Sequence, residues 1–285
     1  MRGKAGSVEG EVPAENYNGR ARQVLPDGVI VSQRGPVALV RLSRPAKRNA
    51  IDAAMIAGIE AFFSDLPEET RAVILHGEGS DFSAGADLSL IGGASGVSAL
   101  RISRAWHRAF DLIESGNVPV IAVLHGAVIG GGLELAAAAH IRVAERSAYY
   151  ALPEGMHGIF VGGGGAVRIP RLIGTARMID MMLTGRIYSA EEGVSLGLSQ
   201  YVVGDGQGIA KGIELAERTA ANTELSNFAM LQALPRIARS DPESGLLMES
   251  LMATLAIGDA DAKARINTFL EKRASKVSPR PVAAE

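Results

Sequence analysis

The sequence predicts an α/β core followed by a helical C-terminal region, and three observations carry that prediction. Short β-branched runs alternate with helical segments between Val29 and Ala151, as in α/β domains. From about Ala176 the pattern is largely helical, with segments at 207–222, 226–238, 242–257 and 259–275. Glycine is in excess, at 34 of 285 residues, and clusters at Gly130–Gly132 and Gly162–Gly165 instead of repeating along the chain. Such clusters mark places where backbone must approach something closely.

The elements follow in order. Residues 1–25 are polar, with scattered Gly, Pro, Asn and Glu, and read as a flexible arm. Val29–Leu42 contains two β-rich runs, VIV and VALVRL, around Gln33-Arg34-Gly35, which predicts a hairpin. A helix is expected over 52–64 and a short buried strand over Ala72–His76. Val118–Leu124 is continuous and β-branched, as a strand buried on both faces would be. It leads through Gly130–Gly132 into a helix at Leu133–Ala139, where a run of alanines favours the helical state. Ile141–Ala144 and Ala148–Ala151 read as two further strands. The expected organisation is an arm (1–25), an α/β core (26–205), a helical region (206–275) and a frayed tail (276–285).

Composition removes several function classes. The chain has no cysteine, which excludes disulfide scaffolds, thiolate metal centres and thiol nucleophiles. A formal net charge of −2 argues against nucleic-acid binding driven by bulk positive charge. Met1–Glu15 has no apolar signal segment, and the apolar stretch Val118–Leu133 is short and interrupted by glycines. A soluble cytoplasmic protein with neither nucleic acid nor membrane as partner is the expectation. Gly193-Val194-Ser195-Leu196-Gly197 matches the serine-hydrolase elbow, but it lies in a helical pattern and no histidine follows His157. The segment GAVIGGG lacks the spacing of a dinucleotide-binding loop.

What remains is a set of carboxylates beside glycines. Gly130–Gly132 precede a helix, so their N–H groups lie at its positive end, which suits an anion or a developing oxyanion. Glu134 falls in the first turn of that helix, where a dipole-compensating residue is the simpler reading. Pro153-Glu154-Gly155 places a second carboxylate at a strand end, where a turn residue is again the more common reading. Phe82-Ser83-Ala84-Gly85-Ala86-Asp87-Leu88 follows a strand and offers further backbone N–H groups.

Taken together, these segments resemble the enoyl-CoA hydratase/isomerase, or crotonase, family, from about Val29 to Arg273. RLSRPAKRNAID, FSAGADL, VIAVLHGAVIGGGLELAAAAHIRVA and YALPEGMHGIFVGGGGAVRIPRLIG follow the family's motifs in order, as do LTGRIYSAEEGVSLGL and FLEKR. The resemblance implies a crotonase-like ββα spiral core with a C-terminal helical trimerisation region, assembled as a homotrimer or a dimer of trimers. It implies an enoyl-CoA hydratase that adds water to an acyl-CoA thioester, with no cofactor beyond the CoA carried by the substrate. Ala86 and Gly131 then match the oxyanion-hole N–H donors, and Glu134 and Glu154 the carboxylates that hold water. Lys47, Arg48, Ala84, Asp87, Leu88, Gly130, Gly162 and Lys272 are the expected contacts to CoA or acyl group. Related CoA-thioester chemistry (dehydration, isomerisation, thioester hydrolysis, or hydration with retro-aldol cleavage) and non-catalytic acyl-CoA binding are the alternatives. The loop GMHGIFVGGGG departs from the family pattern at Gly155, His157 and Val161. That departure leaves room for a bulkier, aromatic or branched acyl group, with His157 a candidate contact.

Overall fold

The computed structural model describes residues 25–271 apart from 91, 92 and 94. The expected arm (save Leu25), the tail and Lys272 lie outside the described residues. The chain divides into two compact units, Met1–Ala221 and Asn222–Glu285.

The first unit opens with the predicted hairpin, β1 (Val29–Arg34) and β2 (Val37–Leu42). Helix α1 (Ala53–Ser64) follows, capped by the Asp52 side chain on Met55 N–H. Next come β3 (Ala72–Gly77), α2 (Gly96–Glu114), β4 (Val120–Leu124), β5 (Ala127–Ile129) and α3 (Gly131–Ala138). The chain continues through β6 (Ile141–Glu145), β7 (Tyr149–Ala151), α4 (Gly165–Ile173) and α5 (Thr175–Thr184). It ends with β8 (Tyr188–Ser189), α6 (Ala190–Leu196), β9 (Tyr201–Val203) and α7 (Gly208–Ala220). Strands β1-β2-β3-β4-β6-β9 form one sheet, parallel after the first hairpin, and β5-β7-β8 form a second.

Period-two alternation in the central strands creates two cores. Val40, Leu42, Val73, Leu75, Ala122 and Leu124 face one core. Ile74, Ile121, Val123 and Val143 face the other, which Leu215 and Ala216 of α7 close. This second core explains why α7 belongs with the sheet: without it, the β-branched face of β3 and β4 would meet water. The unit boundary accordingly falls at Ala221, after α7, and not at the expected 205/206. The 19-residue helix α2 is an element that the sequence reading leaves unassigned, although Trp106, Ala109, Phe110 and Ile113 recur on its buried side.

The second unit is helical: α8 (Glu224–Phe228), a π-helical turn at Ala229–Ala233, α9 (Leu234–Ile237), α10 (Pro242–Gly258) and α11 (Ala260–Leu270). Thr223, Asp241 and Asp259 cap α8, α10 and α11 through their side-chain oxygens. Leu246, Leu247, Leu251 and Leu255 on α10 and Phe269 and Leu270 on α11 are exposed. Among the described residues no helix is long and apolar enough to cross a membrane.

The two-core arrangement makes a stability prediction. Ile121→Ala removes a fully buried side chain and costs about 2–5 kcal/mol. Urea denaturation monitored by circular dichroism measures it, and a wild-type midpoint would contradict the packing.

Candidate active site

Strands, glycine-rich turns and helix α2 bring four segments of the first unit, within 84–88, 96–106, 129–134 and 153–163, around one cavity of about 520 Å³. The segment after β3 reaches it because Ile51 pairs with Ala86 as an isolated parallel bridge. In that bridge Ile51 N–H donates to Gly85 O, and Asp87 N–H donates to Ile51 O. Ala86 N–H is left without an acceptor among the described residues and turns toward the start of α3. There Gly131, the first residue of the helix, has an N–H with no intrahelical acceptor. A β-carbon added to Gly131 would sit 3.2 Å from Ala86 N and collide with the Trp106 ring. Only glycine keeps this space open between the two free donors.

The carboxylates stand beside them. Glu134, one turn into α3, is 3% exposed, and its Oε1 accepts N–H bonds from Gly163 and Gly165, both at 2.8 Å. A β-carbon at Gly165 would lie 2.7 Å from Glu134 Cγ, so this loop too must be glycine. Glu154 follows β7 in a 3-10 turn, Pro153–His157, and is 7% exposed; its Oε2 is buried without a partner. Burial raises both carboxyls above the usual carboxylate range. For Glu134 the three backbone N–H groups of Gly165, Gly163 and Gly162 and nearby Arg168 oppose that rise. Glu154 is pushed up to about 7 by burial and by the charge of Glu134. The two donors on Glu134 Oε1 favour its ionised form, whereas Glu154 Oε2 has no donor to meet a bare anionic oxygen.

The enoyl-CoA hydratase/isomerase family profile matches residues 32–278. The chain belongs to the enoyl-CoA hydratase/isomerase family. It is 56% identical to a crystal structure from Rhodopseudomonas palustris CGA009 provisionally described as an enoyl-CoA hydratase. That structure superposes with a TM-score of 0.85 over 87% of this chain and 97% of the other. Enoyl-CoA hydratase EchA19 of Mycobacterium tuberculosis is 31% identical over 254 residues, 87% of this chain and 95% of the relative. The short-chain-enoyl-CoA hydratase of Clostridium acetobutylicum is 29% identical over 87% of this chain and 96% of the relative. The crotonase-like α/β fold follows from these matches.

The residues singled out in this family member fall into two groups. Ala84, Ala86, Leu88, Gly130, Gly131, Glu134, Glu154, His157 and Gly162 all line the cavity. Lys47 is exposed at the end of the Pro45–Lys47 turn and does not line it. Arg48 and Asp87 are engaged within the protein. Arg48 makes two 3.0 Å bonds to Asp81 and a 2.7 Å bond to Tyr149 Oη. Asp87 accepts from Arg44 at 3.1 Å and from Ser89 Oγ. These two ion pairs fasten the 43–52 and 81–87 segments together and so fix the position of Ala86.

The sequence marks Gly162–Gly165 as a place of close backbone approach, with Gly162 a substrate contact, and does not show that Gly163 and Gly165 hold Glu134. The signal was present: glycines directly before a helix expose N–H groups to an anion. Trp106 and Arg168 were also missed. Arg168, 5% exposed at its side chain, bonds Glu114 at 2.7 Å, Asp111, and Gly163 O at 3.1 Å, bracing the glycine loop on α2.

A raised carboxyl has a stability signature. Glu154 binds its proton more tightly folded than unfolded, so its contribution to stability is present below about pH 4.5 and gone above about pH 7. Glu154→Gln should therefore gain on wild type by about 3 kcal/mol between those limits. Denaturation midpoints across that range test this, and a constant gap would contradict the assignment.

Proposed function

We propose that this chain is an enoyl-CoA hydratase, adding water reversibly and syn across the α,β double bond of an enoyl-CoA thioester. The observation that carries this is the convergence of two buried carboxylates and two unpaired backbone N–H groups on one apolar cavity. In this reading the thioester oxygen accepts from Ala86 and Gly131 N–H, whose bonds strengthen as the carbonyl becomes an enolate. Each such donor is worth about 3 kcal/mol of transition-state stabilisation. Water lies between the carboxyls. Glu134 takes one proton from it as the oxygen bonds to the β-carbon, and Glu154 gives its proton to the α-carbon. The proton held by Glu134 then passes to Glu154 through the next water, which restores the pair. The steps use only carboxylates and peptide N–H groups, with CoA as the substrate handle.

The acyl group is neutral in this proposal. Leu88, Leu100, Ile102, Trp106, Phe160 and Val161 line the cavity, and among the described residues no Lys or Arg does. An ω-carboxylate would lack a lysine or arginine partner there, which disfavours its charge against an apolar wall. Exposed leucines on α10 support self-association of the helical unit, as a homotrimer or dimer of trimers. Cytoplasmic placement completes the reading.

Incubation with crotonyl-CoA and with branched, aryl and ω-carboxy enoyl-CoAs, followed by enoyl absorbance and product mass, tests it. The expected result is a gain of one water on neutral substrates and a much lower kcat/KM on the ω-carboxy one. Glu134→Gln and Glu154→Gln should each cut turnover by at least about 100-fold. Cleavage products, a shifted double bond, free CoA, or near-full activity in either variant would overturn the assignment.

A further inference from the structure

Two of the peptide groups that face Glu134 donate to its Oε1 at 2.8 Å, and each is bonded at its other end. Gly165 N–H belongs to the peptide whose carbonyl, Gly164 O, accepts from Val167 and Arg168 N–H at 3.0 and 3.1 Å in the first turn of α4. Gly163 N–H belongs to the peptide whose carbonyl is Gly162 O, and that oxygen accepts from Ser103 Oγ at 2.7 Å. The helix backbone closes one peptide; a single side chain closes the other. Ser103 projects from α2, lines the cavity, and has His107 Nε2 at 3.5 Å, one turn along the same helix.

We propose that Ser103 is a positioning residue for Glu134, its hydroxyl holding and polarising the Gly162–Gly163 peptide that donates to the Glu134 carboxylate. A hydrogen bond accepted by a peptide oxygen draws electron density from the N–H at its other end and makes it a stronger donor. The hydroxyl also fixes the rotation of a peptide flanked by glycines, whose backbone otherwise turns freely. Ser103 thereby acts on a carboxyl it does not touch.

The other charged groups around Glu134 are accounted for. Glu154 faces it across the cavity, and Arg168 approaches from α4 with Asp111 and Glu114 of α2 on its guanidinium. Replacing Ser103 leaves all of these in place, since none of them bonds the serine. Loss of the hydroxyl weakens one donor to the carboxylate, so the ionised form becomes less favourable and the Glu134 titration moves upward.

The inference rests on the hydratase reading for its kinetic test and not for its spectroscopic one. Ser103→Ala should lower kcat about five-fold, the worth of one neutral hydrogen bond. KM should change little, and the acidic limb of the kcat–pH profile should move to higher pH. Ser103→Thr, which keeps a hydroxyl, should recover both. Independently of turnover, carbon-13 NMR of labelled glutamates, with the Glu134 signal identified by its loss in Glu134→Gln, should show that carboxyl titrating at higher pH in Ser103→Ala. An unmoved Glu134 titration, or a variant altered in KM alone, would overturn the positioning role. Absence of hydration by the wild-type enzyme with a shifted NMR titration would overturn only the hydratase reading.

Discussion

Holding a buried carboxyl on backbone donors inside an apolar cavity is the constraint on which the rest of this molecule depends. Burial opposes the charge on Glu134, and the N–H groups of Gly163 and Gly165 offset that opposition. Both donors must come within 2.8 Å of one oxygen, and a β-carbon at Gly165 would fall on the glutamate side chain. The glycine run before α4 is therefore part of the charge-holding device. Arg168 secures it from the far side, tying Gly163 O to Asp111 and Glu114 on α2. Glu154 Oε2 receives no comparable support, so two identical side chains sit in different environments, the difference that the proposed base and acid roles need.

The same economy governs the two backbone N–H groups proposed as oxyanion donors. Ala86 N–H is free because the bridge to Ile51 uses the groups on either side of it. Gly131 N–H is free because it begins a helix. Neither is created by a side chain; both are held by the frame. That frame is the parallel sheet, with α7 sealing its second face and the Arg44–Asp87 and Arg48–Asp81 pairs locking the loop that carries Ala86. A charge placed at CoA's expected position, Arg48, thus serves the architecture of the site.

Much of this was legible in the sequence. The strands from Val29 to Ala151, the helix after Gly130–Gly132 and the helical C-terminal region follow from local patterning, because hydrophobic periodicity and glycine position are local properties. The three motifs that carry Ala86, Gly131 with Glu134, and Glu154 pointed to the family. The rest depends on partners far apart in the chain. Gly163 meets Glu134 across 29 residues, and Arg48 meets Tyr149 across 101. No periodicity encodes those distances. Helix α2 was missed for a different reason: Trp106 and Phe110 are its buried anchors, whereas Leu100 and Ile102 near its start are exposed at the cavity. Apolar residues on both sides blur a single-face pattern.

Geometry sets the two glutamates apart: Glu134 Oε1 accepts two N–H bonds at 2.8 Å, whereas Glu154 Oε2 is buried without a partner, which favours charge on the first and a proton on the second. Infrared difference spectroscopy of the protein at about pH 6, midway between an ordinary and a raised carboxyl, reads it directly. A protonated-carboxyl stretch should be present in wild type, remain in Glu134→Gln and vanish in Glu154→Gln. A band that vanished in Glu134→Gln and survived in Glu154→Gln would contradict the account.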